Sequence, residues 1–304
     1  MRPTPVEIVR VPTEARNRAT HDIDLLSTLD VLRRINSEDA TVPHSVAQVL
    51  PELAAAVDLG VTALRGGGRL HYFGAGSSGR LATMDAAELP PTFGIPGDRV
   101  VAHHAGGGNA LVQAVEGIED DFDLGRTDAA EVTSGDLAVG LAASGRTPYV
   151  AGALRRAREA GAHTVLISAN PNAPLATECD VHVGVDTGAE VIAGSTRMKA
   201  GTGQKLALNA FSTAVMIRMG YTYSNLMVGV VASNAKLRGR MVTILTEATG
   251  LPEAACADAL NRADGDTRIA LVCLLTGAEV TVAAGALHAA SGSVRAALRE
   301  LQGG

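Results

Sequence analysis

The feature that most constrains this chain is an alternation running from about residue 69 to residue 185. Short apolar runs recur at 69–75, 99–104, 136–143, 163–168 and 181–185, separated by Gly- or Ser-rich turns and helical stretches. The runs are continuously apolar rather than alternating, as expected of strands covered on both faces. Strands separated by helices imply parallel βαβ units. The expected fold is α/β: a three-layer α/β/α sandwich on a mainly parallel sheet, spanning residues 55–235. Helices are predicted to about Glu88 after the first strand, through Glu119 after the second, over 148–160 after the third, and over 196–219. Residues 1–54 read as an N-terminal helical segment. From 236 to 304 the strand signals stop, and short Ala- and Leu-rich helices predict a small helical C-terminal subdomain.

Composition narrows the function classes. Of 304 residues, 46% are apolar but only 3% aromatic, with no Trp and 34 Gly, so the core must be built from small aliphatic side chains. The net charge of −6 argues against a nucleic-acid partner, which would need clustered Lys and Arg. Cys179, Cys256 and Cys273 lie far apart, without the spacing of a disulfide framework or a zinc site. The N-terminus lacks the apolar stretch of a signal peptide, and the most apolar helical stretch, 206–217, is too short for a bilayer span of roughly 20 residues. A cytoplasmic location, no membrane partner and no nucleic acid are therefore expected.

Three loops carry candidate chemistry, two of them at predicted strand ends, where open parallel sheets bind ligands. In GAGSSGR (74–80), glycines admit a ligand close to the backbone, and the Ser77 and Ser78 hydroxyls with helix-start N–H groups suit a phosphate. The loop lacks the Lys of a Walker A motif. It fits the bare GxGxxG dinucleotide pattern, but the next strand ends in His103-His104 rather than an acid; a tight strand-to-helix turn explains it equally well. ASGRTP (143–148) repeats the arrangement with Ser144 and Thr147, and Pro148 suits a first helical turn. Two such loops together read as one phosphate site. GSTRMKAGT (194–202) opens a long helix, where Ser195 or Thr196 could cap it, and Arg197 and Lys199 favour an anion nearby. Glu88, in DAAELPPTF (85–93), stands before a Pro-Pro pair at an expected helix end. Glu119 lies in an acidic cluster, EGIEDD (116–121), whose ordinary reading is a solvated helix end. His103 and His104 lack a third ligand at recognisable spacing, so neither a metal nor any other cofactor is expected.

In these same segments the chain resembles the bacterial N-acetylmuramic acid 6-phosphate etherases, relatives of the glucokinase regulatory protein. The likeness begins at TEARN (13–17) and runs through GAGSSGRL (74–81), DAAELPPTFG (85–94), AVEGIEDD (114–121), AASGRTPYV (142–150) and GSTRMKAGTGQK (194–205). The departures are Ser77, where the family usually has Thr, and Gly229 and Ala235, where it usually has acidic residues. The resemblance implies the SIS (sugar isomerase) fold and cleavage of the D-lactyl ether of N-acetylmuramic acid 6-phosphate, giving N-acetylglucosamine 6-phosphate and D-lactate. It implies a homodimer with a small-molecule sugar-phosphate substrate and no metal. By the same likeness Glu88 corresponds to the proton donor and Glu119 to the second catalytic glutamate. Ser77, Ser78, Ser144 and Thr147 would hold the 6-phosphate, and Ser195, Thr196 and Lys199 would line the sugar pocket. An aldose–ketose isomerase of the same fold and a non-catalytic sugar-phosphate sensor remain as alternatives. The isomerase would leave the ether intact, and the sensor would have no evident need of Glu88 and Glu119.

Overall fold

The computed structural model describes residues 11–113, 115–229 and 235–303. The first ten residues of the expected N-terminal segment, Ala114 of the acidic-cluster motif and residues 230–234 before the expected boundary at 236 lie outside the described residues. The chain divides into two compact units. One takes the described residues up to Ala86 together with Val100–Phe211; the other takes Ala87–Arg99 and the chain from Ser212 onward.

The first unit opens on short 3-10 turns and then helices α1 (Thr28–Asp39), α2 (Val42–Gln48) and α3 (Leu50–Arg65). In α3, Pro51 stands in the first turn, where its missing N–H costs nothing, and Leu53, Ala56, Val57, Gly60, Val61 and Leu64 form one buried stripe. Then follow β1 (Leu70–Gly74), α4 (Gly76–Phe93), β2 (Val100–His104), α5 (Gly107–Val112), α6 (Phe122–Asp128), β3 (Leu137–Leu141), α7 (Pro148–Glu159), β4 (His163–Ser168), β5 (Val181–Gly184) and α8 (Lys199–Met219). The five strands are all parallel, in the order β2-β1-β3-β4-β5. All residues of β1 and β3 are buried, which explains their unbroken apolar runs. The order reverses direction between β1 and β3, so the crevice for a ligand lies beyond the C-terminal ends of those two strands.

On one face α6 and α7 pack against each other and onto a core that includes Phe73, Tyr149, Leu154 and Leu166. Outside that core is a buried polar chain. His71 Nδ1 lies 3.0 Å from His103 Nε2, and His71 Nε2 lies 3.7 Å from Asp136 Oδ2. Asp136 also accepts from the backbone N–H groups of Arg69 and Thr133. Burial opposes ionisation of Asp136, but those bonds, with the Thr133 hydroxyl and the nearby His71, outweigh it and hold its carboxyl below the usual range.

Three helices differ from the sequence expectation. The one after β1 runs past Glu88 to Phe93 with Pro90 and Pro91 inside it. Both prolines sit in the last turn, so only two carbonyl partners are forfeited. The helix ends at Gly94 (φ +71), whose N–H donates to Pro90 O. The helix expected through Glu119 is instead the short α5, a 3-10 turn over Ile118–Asp120, and α6. Gly117 at φ +75 breaks the chain direction, and Asp121 caps α6 by accepting from Leu124 N at 2.8 Å. The long helix starts at Lys199 rather than Thr196. The Glu190 carboxylate takes the N–H groups of Lys199 and Ala200, both at 2.9 Å, in the capping role expected of Ser195 or Thr196.

In the second unit, a small antiparallel hairpin of β6 (Thr222–Tyr223) and β7 (Leu226–Met227) was not foreseen from the sequence. It is followed by α9 (Ala235–Thr249), α10 (Glu253–Arg262), α11 (Thr267–Thr276), α12 (Val280–Ala289) and α13 (Val294–Gln302). These helices enclose a core including Met241, Leu245, Cys256, Leu260, Leu271 and Leu298. Asp266 caps α11 and Ser293 caps α13, while Gly277 ends α11 in the left-handed conformation.

Candidate active site at the tips of β1 and β3

A cavity of about 430 Å³ opens where β1 and β3 end. Its floor is made by two loops that the glycines shape. At the tip of β1, a Cβ on Gly74 would fall 2.8 Å from Gly79 N, and one on Gly79 would fall 2.5 Å from both Gly74 O and the His104 ring. Only glycine at both positions lets the chain turn so tightly into α4. At the tip of β3, Gly145 has φ +68, and a Cβ there would fall 2.2 Å from the Ala173 methyl.

The two turns aim two helix N-termini into the same space. Gly76, Ser77 and Ser78 of the first turn of α4 line the cavity, as do Ser144, Thr147 and Pro148 at the start of α7. Thr147 is the N-cap of α7, yet its side chain makes no capping bond, so its hydroxyl is left for the cavity. Ser78 is buried and bonds the Gln204 amide at 2.8 Å. With that amide's nitrogen turned toward Ser78, its oxygen accepts from Ala142 N and Ala143 N, both at 3.2 Å, and the Ser78 proton is free to donate. Helix-start N–H groups, hydroxyl donors and Arg146 therefore all line this cavity. Such a set suits a phosphate dianion.

The lining also includes the acidic residues Glu14, Glu119 and Asp120, with Thr196 and Gly194. Glu119 is exposed on the 3-10 turn over Ile118–Asp120 and also borders an adjoining cavity of about 350 Å³ lined by Arg80, His104 and Glu116. The acidic cluster thus divides its labour: Asp121 caps a helix, while Glu119 and Asp120 face the cavities.

The cavity brings together Ser77, Ser78, Ser144, Thr147, Thr196 and Glu119 of the residues singled out from sequence. Ser195 and Lys199 are not among its lining residues. Lys199 is buried, and its ammonium is 2.8 Å from the Glu38 carboxylate, which also accepts from Asn17. Burial opposes ionisation of Glu38, but the Lys199 and Asn17 bonds prevail and keep its carboxyl below the usual range. A Lys near a helix start can serve a ligand or an internal carboxylate, and only the fold decides which. Glu88 belongs to the second unit, exposed on α4, and is likewise not among the lining residues. Sequence reasoning missed Glu14 and Arg146. Arg146 sits inside the recognised ASGRTP loop and could have been found there; Glu14, some sixty residues from the nearest loop, gave only its place in the TEARN stretch as a signal.

His103 and His104 part company because neighbouring strand residues point to opposite faces. His103 stacks on Phe73 at 4.5 Å and meets His71, whereas His104 bonds Ala105 O and Gly76 O at 2.8 and 3.2 Å and so braces the first loop. Among the described residues no group of three His, Cys, Asp or Glu side chains is placed to hold a metal ion.

The parallel 2-1-3-4-5 sheet with a candidate site at the β1/β3 tips is that of a doubly wound α/β protein, and the family models place it among the SIS domains. Residues 52–158 match the model of the glucokinase regulatory protein N-terminal SIS domain, and residues 114–214 match that of the SIS domain. A solved structure described as a phosphosugar isomerase involved in capsule formation, from Bacteroides fragilis, shares the fold at a TM-score of 0.51 and 23% identity, over 64% of this chain and 93% of that one. Among curated proteins, the N-acetylmuramic acid 6-phosphate etherase of Thermobifida fusca is 79% identical over 91% of both chains. That of Pectobacterium atrosepticum is 49% identical over 94% of this chain and 95% of its own. The chain belongs to the N-acetylmuramic acid 6-phosphate etherase family.

Proposed function

We propose that this protein cleaves the D-lactyl ether of N-acetylmuramic acid 6-phosphate, releasing D-lactate and N-acetylglucosamine 6-phosphate. The observation that carries the reading is the convergence of two helix starts and the hydroxyls of Ser77, Ser78, Ser144 and Thr147 on a cavity that also holds Glu119. The hydroxyls and helix starts hold the 6-phosphate and Thr196 faces the sugar. In the ring-opened sugar the C1 aldehyde acidifies the C2 proton. A carboxylate removes that proton, the C3–O bond breaks, and an acid protonates the departing lactate oxygen. Water then adds to C3 of the unsaturated aldehyde while C2 regains a proton, so one water is consumed for each lactate released. Glu119, which lines the cavity, and Glu88, proposed as proton donor on the likeness of its DAAELPP motif to the family alone, are the pair for these transfers. General acid and base steps of this kind contribute roughly 10²–10⁴-fold each.

The working form is proposed to be a homodimer in the cytoplasm. Helix α1 buries none of its own residues and leaves Leu29 and Leu32 exposed, beside a still more exposed Leu25, which favours a covering partner. Among the described residues no single helix is long and apolar enough to cross a membrane, and the three cysteines are unpaired thiols, as suits a reducing compartment.

The test is a D-lactate assay on N-acetylmuramic acid 6-phosphate. The wild-type protein is expected to release lactate. Glu88→Gln is expected to lose at least 10²-fold in kcat while still binding N-acetylglucosamine 6-phosphate. A ketose phosphate with the ether intact would mark an isomerase instead, and unchanged turnover by Glu88→Gln would remove that residue from the chemistry.

A further inference from the structure

The lining of the cavity carries two opposed chemistries. One offers N–H groups, hydroxyls and Arg146 and suits an anion; the other presents Glu14, Glu119 and Asp120. Three carboxylates accompany one guanidinium in the lining, so an anion gains little there from formal charge alone. The lining favours a ligand that joins a phosphate to a body rich in hydroxyl donors. Glu119 has a proposed role in the proton transfers, but Glu14 has none.

Glu14 is held in place by an N-terminal strap. Gly194 N donates to Thr13 O at 3.0 Å, and Thr20 Oγ1 donates to Val191 O at 2.8 Å. Asn17 donates to Glu38, which the buried Lys199 ammonium secures. Thr13 and Thr20 are both buried. The strap is thus fastened on both sides of Glu14 to the loop before α8, which holds the backbone of Glu14 beside the cavity while its side chain stays exposed there. The carboxylate lies against Gly194, where a Cβ would fall 2.8 Å from Glu14 Oε2. Among the described residues this carboxylate has neither a hydrogen-bonding partner nor an ion pair. A carboxylate accepts hydrogen bonds and donates none, so what it can bind here is hydroxyl or amide N–H donors.

We propose that Glu14 is a substrate-binding residue whose carboxylate accepts hydrogen bonds from hydroxyl groups of the sugar while the helix-start N–H groups and hydroxyls of the same cavity hold its phosphate. This rests on the sugar-phosphate reading given above and adds a third carboxylate to it, one that binds rather than transfers protons. It also gives the strap a purpose, as the wall that makes the site selective for a polyol phosphate over phosphate itself.

The experiment compares two probes, N-acetylglucosamine 6-phosphate and inorganic phosphate, by calorimetric titration of the full-length wild type, Glu14→Gln and Gly194→Ala. In Glu14→Gln, affinity for the sugar phosphate is expected to fall about 10-fold or more, while inorganic phosphate binds as well as before or severalfold better, because a negative charge has gone. Gly194→Ala, which displaces the carboxylate but keeps its charge and strains a backbone at φ +76, should weaken sugar-phosphate binding without a gain for inorganic phosphate. Steady-state turnover should show the loss in KM more than in kcat. Sugar-phosphate affinity unchanged in Glu14→Gln overturns the proposal. Equal losses for both probes overturn it too, since the strap would then be only structural. Lactate release by the wild type judges the etherase reading separately: a protein that binds the sugar phosphate but frees no lactate refutes that reading, while the affinity ratio still decides Glu14.

Discussion

At the scale of single residues, the Glu38–Lys199 pair shows how the site is braced from beneath. Lys199 is 5% exposed and Glu38 18%, so the pair is screened only slightly by solvent. Removing one partner of such a pair strands a charge that has already lost its hydration. Lys199→Met is expected to destabilise the protein by about 2–4 kcal/mol, and adding Glu38→Gln should recover part of that loss. Urea unfolding of the two single variants and the double variant measures this directly; additive losses would mean the pair does not couple. The same residue marks a limit of sequence reading. A lysine one turn from a Ser-Thr pair looks like a ligand group, and nothing local says that a carboxylate 161 positions earlier will claim it. Ser77, Ser78, Ser144 and Thr147 were legible for the opposite reason, because each sits in a loop whose place at a strand end follows from the strand itself.

At the scale of elements, the contact between α6 and α7 depends on two glycines facing each other's backbone. A Cβ on Gly125 would fall 1.9 Å from Tyr149 O, and one on Gly152 would fall 2.0 Å from Phe122 O. Neither clash can be relieved by turning a side chain. Gly152→Ala should therefore cost about 2–3 kcal/mol in the urea midpoint, despite the better helix propensity of alanine. Gly239→Ala in α9, with no atom within 4 Å of the added methyl, should instead stabilise by about 0.5–1 kcal/mol. Equal effects at the two positions would contradict the packing argument. Elements also divide by how well the sequence announces them. The five strands were read to within two residues at either end, since continuous apolar runs between turn residues admit few other readings. The helix expected through Glu119 fails at Gly117 and Asp121, which act as a break and a new cap. The β6–β7 hairpin went unseen because its strands are two residues each, and its turn uses Ser224 at φ 53 rather than glycine.

At the scale of the whole molecule, acid stability follows from the buried histidines. Burial, and secondly the neighbouring His71, push His103 from an ordinary 6.5 down to about 4, while Asp128 and Glu131 pull weakly the other way. His71 is lowered as well, by burial against the pull of Asp136. A depressed histidine favours the neutral form in the folded state, so the unfolded chain takes up its proton first as pH falls. The contribution of His103 is intact above about pH 6.5 and is lost as pH drops through about 4, amounting to up to about 3 kcal/mol. His103→Gln should flatten the fall in unfolding free energy between pH 6.5 and 4; a slope equal to wild type would refute this.

The central claim concerns chemistry at the second and third sugar carbons, and turnover in deuterium oxide examines it most directly. N-acetylmuramic acid 6-phosphate should yield one D-lactate for each N-acetylglucosamine 6-phosphate, with solvent deuterium at C2 of the sugar. Lactate released from a sugar that keeps its original C2 hydrogen, or deuterium exchange without any lactate, would contradict the account.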